Sequence, residues 1–221
     1  MKAIAVDIDG TITDKNRKIC INAINAIRCA EDRGYPVILV TGNIICVART
    51  VAMMIGTSGG IVGENGGVIQ TRKRTHFRRH RKVQPAYEFL KSKYPVEKVE
   101  FSDQRISEIA IRRTIDVNTV KETLQDFDVK VYDTKFAIHL TDPEVNKGKS
   151  LEIVAKDIGI TLDEIMAIGD SENDLEFLEV AGFKVAVSNA DEELKENADY
   201  VTRKPYGDGA AEAIEKFILN K

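Results

Sequence analysis

The sequence predicts an α/β protein, a doubly wound parallel-sheet core with a smaller α+β unit inserted into it. Three observations carry that prediction. Residues 3–6 read Ala-Ile-Ala-Val and residues 37–40 read Val-Ile-Leu-Val, apolar runs without polar alternation, as expected of strands covered on both faces. Helical patterns separate these runs, so the order to residue 63 is strand, helix, strand, helix, strand. That order breaks in the middle of the chain and resumes at Lys147.

Taken in order, the first strand runs into Asp7-Ile8-Asp9-Gly10-Thr11. A helix is expected over 16–34, with Gly34 near its C-terminal cap. The strand at 37–40 ends at Thr41, a second helix covers 44–55, and a third strand covers 60–63. The Asn65-Gly66 pair that follows is a turn signal, and 68–70 read as a hairpin strand. Next come a helix at 85–93, a strand at 106–115, a helix at 117–127, and strands at 129–132 and 136–140. This block alternates apolar and polar residues, as a sheet with one covered and one open face does. From Lys147 a helix runs to 158, a strand covers 165–168, a helix follows Asp174, and a strand covers 184–187 before a last helix and strand. The core is therefore split, with 1–81 and 147–221 forming a Rossmann-like unit and 82–146 a separate insertion.

Composition narrows the function classes. A formal charge of −3 over 221 residues gives the whole chain no bulk attraction to nucleic acid or membrane. The exception is 72–82, where seven of eleven residues are Lys or Arg. It holds a single aromatic, Phe77, and no recognition-helix pattern, so an exposed hairpin leading into the insertion is the expectation rather than a nucleic-acid site. Cys20, Cys29 and Cys46 form neither a disulfide framework nor a metal spacing and read as buried small residues of a reducing compartment. With no signal-peptide pattern and no long apolar run, a cytoplasmic protein is expected.

Chemistry is concentrated in four polar clusters: Asp7 with Asp9; Thr41-Gly42-Asn43; Lys147 with Gly148; and the run from Gly169 through Asp170 to Asp174. Side chains two apart on a strand point the same way, so Asp7 and Asp9 converge beyond its carboxyl end. Two carboxylates held together need a cation between them or a raised pKa, and a hard ion such as Mg2+ suits them. In a parallel sheet all carboxyl ends share one edge, where ligands bind. Each cluster also has a plain structural reading: Thr41 as a helix cap, Lys147 as a surface lysine, Asp170 and Asp174 as capping or surface acids. Their common placement favours one site.

The four clusters, DIDGT, TGN, the lysine of NKGKSL, and GDSEND, resemble in order the motifs of the haloacid dehalogenase-like superfamily of phosphatases. The GENG turn, the insertion before Lys147 and the run VAVSNADEELKENADYVT are similar to the branch with an α/β cap, and within it to archaeal phosphoglycolate phosphatases. The resemblance implies a phosphomonoesterase with Mg2+ as cofactor and a small phosphorylated metabolite as substrate. It implies Asp7 as nucleophile, Asp9 as acid and base, and Asp7, Asp9 through its carbonyl, Asp170 and Asp174 around the metal. Thr41, Gly42, Asn43 and Lys147 would meet the phosphoryl group. A sugar-phosphate phosphatase, a phosphomutase and a non-catalytic phosphate- or nucleic-acid-binding protein are the alternatives. Oligomeric state is open, a homodimer included.

Alternation in the insertion offers candidates for the leaving group. Ile109 and Ile111 on one face leave Ala110 and Arg112 on the other, and Phe136, Ile138 and Leu140 leave His139 and Thr141. Arg112 and His139 are thus candidates for a small anionic group, against the plain reading of a solvated Arg and an incidental His. Asn189, after the strand at 184–187, is either a phosphate contact or a turn residue.

Overall fold

Continuous apolar runs form the centre of the molecule. The computed structural model describes residues 1–73, 75–77, 82–134 and 137–220. Strand β1 (Ala3–Asp7) is buried throughout, as is β2 (Val37–Val40), and helix α1 (Ile21–Asp32) connects them. Helix α2 (Ile45–Ile55) leads to β3 (Gly60–Gly63), which turns back into the antiparallel β4 (Val68–Gln70) and β5 (Thr75–Phe77). The backbone of β5 thus supplies the expected hairpin for the basic run, of which Arg74 and residues 78–81 lie outside the described residues.

The next elements are α3 (Val83–Lys93), β6 (Glu108–Ile111), α4 (Val117–Thr123), β7 (Lys130–Asp133) and β8 (Ile138–Thr141). Their strands form an antiparallel sheet in the order β6-β8-β7, with its own apolar cluster of Ile109, Ile111, Ile138 and Leu140 against Val83, Leu90 and Val120. The strand expected at 106–115 is shorter than its apolar run, and Phe136, placed with Ile138 in the sequence reading, lies outside the described residues.

Helix α5 (Lys147–Ile158) begins where Asn146 caps the backbone N–H of Lys149 at 2.9 Å and ends at Gly159 in a left-handed conformation. Then follow β9 (Ile165–Gly169), α6 (Leu175–Glu179), β10 (Phe183–Ala186), α7 (Glu192–Glu196), β11 (Tyr200–Val201) and α8 (Tyr206–Ile214). The main sheet has the order β11-β10-β9-β1-β2-β3-β4-β5, parallel from β11 to β3. Successive strands move one way from β1 to β2 to β3, whereas β9 returns to the other side of β1. That reversal opens a crevice at the carboxyl end of β1. In register, Val6 pairs with Leu39 and Ile168, so the segments after β1, β2 and β9 emerge side by side.

Two expectations need correction. Helix α1 starts at Ile21 rather than at 16, because the Asp14 carboxylate accepts from the N–H groups of Asn16 (2.8 Å) and Lys18 (3.0 Å) and holds the segment in a turn. Cys29 and Cys46 are exposed and Cys20 is half-buried. The buried face of α1 is Ala23, Ala26, Ile27 and Ala30, and that of α2 is Ala48, Ala52 and Ile55, which turns both helical cysteines outward. Among the described residues no helix is long and apolar enough to cross a membrane.

Candidate active site

Asp7 ends β1 and is 5% exposed. Beside it, in the segment that follows β9 across the switch point, stand Asp170 and Asp174, and carboxylate oxygens of the three lie within 4.8 Å of one another. Asp170 accepts from the Thr11 hydroxyl at 3.0 Å. Asp174 accepts from the N–H groups of Asp170 (3.0 Å) and Ser171 (3.2 Å). The lysine that opens α5 completes the cluster: Lys147 Nζ is 2.7 Å from Asp174 and 3.6 Å from Asp7, with its side chain 1% exposed. The surface-lysine reading is therefore excluded.

Three carboxylates around one ammonium leave surplus negative charge. Burial, and then the charge of Asp174, pushes the Asp7 carboxyl well above its ordinary range, with Lys147 only partly offsetting them. Burial opposes the charge on Lys147, but Asp174 and Asp7 outweigh it and raise the ammonium pKa. Buried hard oxygen donors at this spacing fit a divalent cation such as Mg2+.

Gly10 makes the close approach of the loop possible. Its φ is +89°, and a Cβ there would lie 2.3 Å from Asp170 Oδ2. Gly66, at φ +103°, brings the turn after β3 against Asn146, where a Cβ would meet the carbonyl at 2.6 Å. The same turn buries Asn65 and Glu64.

Asp9 is less enclosed and receives Arg17 Nε at 2.9 Å as well as the side-chain amide of Asn43. Thr41 is buried, and its hydroxyl oxygen accepts from the N–H of Asn43 at 3.0 Å, shaping the loop after β2. A cavity of about 520 Å³ opens over these groups, within the range of small-molecule sites. Of the residues singled out from sequence, Asp7, Asp9, Gly42, Asn43, Asp170 and His139 line it. Thr41, Lys147 and Asp174 stand behind that wall. Asn189 ties loops together, its amide donating to Gly10 O at 3.0 Å and its carbonyl accepting from Tyr206 N at 2.5 Å.

The far wall comes from the smaller sheet. His139 is buried and its Nδ1 is 2.9 Å from Glu108. Arg112 is not brought to the cavity: β6 ends at Ile111, pleat alternation ends with it, and the Arg112 side chain is 57% exposed beside Glu97. The next residue, Arg113, lines the cavity instead and pairs with Asp133 at 2.9 Å.

Sequence reasoning missed Arg17, Arg105, Glu108 and Glu64. Glu108 had a usable signal, since it is two residues from Ala110 on the face that leads to His139. Burial opposes its charge, but His139 and Arg105 outweigh burial and lower its pKa. Arg105 also donates to Gly42 O at 2.9 Å, and Asn65 donates to Glu108 at 2.9 Å. Glu64 accepts from the N–H groups of Ile106 (2.9 Å) and Ser107 (2.8 Å) and from the Ser107 hydroxyl (2.7 Å), which fastens the start of the smaller sheet to the main one.

Comparison with known proteins agrees with this architecture. The chain is 58% identical over 219 residues, 99% of each chain, to a Methanothermobacter thermautotrophicus protein named phosphoglycolate phosphatase. It is 46% identical over 230 residues, 98% of each chain, to a Methanobrevibacter smithii protein of the same name. A solved structure from Thermoplasma acidophilum superposes with a TM-score of 0.92 over 99% of each chain at 25% identity. The model of the haloacid dehalogenase-like hydrolase family matches residues 4–102 and 91–214, and this chain belongs to that family.

Proposed function

We propose that the chain hydrolyses small phosphomonoesters, 2-phosphoglycolate foremost, through a phosphoryl group carried on Asp7. The observation that supports it most is the buried Asp7 carboxylate held 3.6 Å from Lys147, with Asp170 and Asp174 in the same cluster. Phosphoryl transfer requires positioning and charge stabilisation more than a strong nucleophile, so a fixed carboxylate suffices. Its oxygen would attack phosphorus while Asp9 protonates the departing alkoxide; Asp9 would then take a proton from the water that displaces Asp7. Asp9 has room for this role because it lines the cavity. Lys147 would offset charge on the nucleophile, and the Thr41–Asn43 loop would hold phosphoryl oxygens. Mg2+, held by Asp7, Asp170 and Asp174 with the Asp9 carbonyl, would supply positive charge at the phosphoryl oxygens when bound.

In this reading 82–146 form a cap over a core of 1–81 and 147–221, and the cap selects the leaving group. The names of the two archaeal relatives, similar over nearly their whole length, support glycolate as that group. A chromogenic phosphate ester with and without Mg2+, followed by a panel of phosphorylated metabolites ranked by kcat/KM, tests the proposal. Turnover should vanish on chelation and in Asp7→Asn, and 2-phosphoglycolate should rank first. Full activity without divalent metal, or in that variant, would refute the mechanism.

A further inference from the structure

Among the described residues three arginines line the cavity, and they differ in what they have left to offer. Arg17 is engaged by Asp9 and Asn43. Arg113 is half exposed and paired with Asp133. Arg105 is different, with a side chain only 9% exposed and a buried Nε that has no hydrogen-bond partner among the described residues. A buried guanidinium N–H without an acceptor is costly, and native structures rarely leave one so.

Its surroundings explain why no group among the described residues takes that proton. Nη1 of Arg105 is already shared between Glu108 and Gly42 O. Both oxygens of Glu108 are committed, one to Arg105 and His139 and the other to Asn65 at 2.9 Å. Glu108 accepts from His139 Nδ1, and the other ring nitrogen, Nε2, lies on the far side of the ring, 3.4 Å from the Thr134 hydroxyl. Glu108 thus fixes Arg105 and His139 in place without consuming the guanidinium edge that contains Nε. That edge is a flat pair of donors matched to a carboxylate.

We propose that Arg105 and His139, held in place by Glu108, form a carboxylate subsite that selects an anionic leaving group. The inference rests on the phosphomonoesterase reading given above. Position adds a limit on size. Arg105 is hydrogen-bonded to Gly42, in the loop assigned to the phosphoryl group, so the carboxylate it accepts lies close to the phosphorus. A phosphorylated hydroxy acid with a short carbon chain fits that span. Arg105 and His139 are specificity-determining residues, and Glu108 is a positioning residue.

The experiment compares 2-phosphoglycolate with 2-hydroxyethyl phosphate, which replaces the carboxylate by a neutral hydroxymethyl group, using the full chain with Mg2+. Wild type should favour the acid, and the ratio of the two kcat/KM values should fall about 10- to 100-fold in Arg105→Gln, over and above any loss common to both esters. Arg105→Lys, which keeps the charge but not the fork, should lose part of that ratio. A wild type that turns over both esters equally well overturns the subsite without needing any variant. A folded Arg105→Gln with the wild-type ratio does the same, because a purely structural bolt would depress both esters alike. Absence of turnover on both esters and on a chromogenic ester would instead sink the phosphatase reading itself, and the two failures are distinguishable.

Discussion

Replacing Lys147 by Met removes one charge from the centre of the site while keeping most of the length of the side chain, which ends one atom short of the ammonium. Its ammonium sits 2.7 Å from Asp174 and 3.6 Å from Asp7. At an effective dielectric of about 20 those separations correspond to gross attractions of ~6 and ~5 kcal/mol. Desolvation of the ammonium offsets much of that sum, and breaking a buried ion pair by removing one partner costs about 3–5 kcal/mol net. In a chain of this size each kcal/mol moves Tm by about 2–4 °C, so Lys147→Met should melt about 6–20 °C below wild type in chelator. The remaining carboxylates then depend wholly on a divalent ion for neutralisation, and Mg2+ should raise Tm more in the variant than in wild type. Differential scanning calorimetry with and without Mg2+ reads both effects. A variant within about 2 °C of wild type in chelator, and unresponsive to Mg2+, would refute the charge balance argued for this cluster.

Two further outcomes follow from the same geometry. Gly10→Ala would place a Cβ 2.3 Å from the Asp170 carboxylate at a φ of +89°, so turnover should fall at least about tenfold and Tm should drop; wild-type kinetics in this variant would show that the loop has slack. The Glu108 carboxyl is held below its ordinary value of 4.5, so its contribution to stability is complete above that pH and is lost as pH falls through the lower folded value. Melts from about pH 7 to about pH 3 should therefore show a steeper acid decline in wild type than in Glu108→Gln, and parallel curves would contradict the assignment.

The parts of the fold that were legible in sequence are those in which one physical cause dominates. Continuous apolar runs at 3–6, 37–40 and 165–168 have no good alternative to a doubly buried strand, and they place the loops of Asp7, Thr41 and Asp170 on one edge. Helix α5 was legible from end to end because Asn146 and Gly159 punctuate it. Where a local pattern competes with a tertiary contact, the reading slips. Residues 16–20 carry no helix breaker, yet the Asp14 turn takes them and sets Arg17, at φ +62°, against Asp9. The choice between Arg112 and Arg113 turned on where β6 ends: the expected strand reaches 115 but β6 stops at Ile111, and beyond it pleat alternation no longer assigns faces. Arg105 lies outside the strands, three residues before β6, so no periodicity marked it; its bonds to Gly42 and Glu108 reveal its position.

The central claim, that Asp7 carries the phosphoryl group, is tested most directly by acid-quench labelling. Asp9→Asn loses both proton transfers assigned to Asp9, so the label is supplied as a phosphate ester with an acidic phenol, whose leaving group needs no proton. The water step is then the slow one, and labelled phosphate should accumulate on the chain, map to the peptide containing Asp7 and be released by hydroxylamine. Label on any other residue, or turnover by Asp7→Asn at the wild-type rate, would contradict the account.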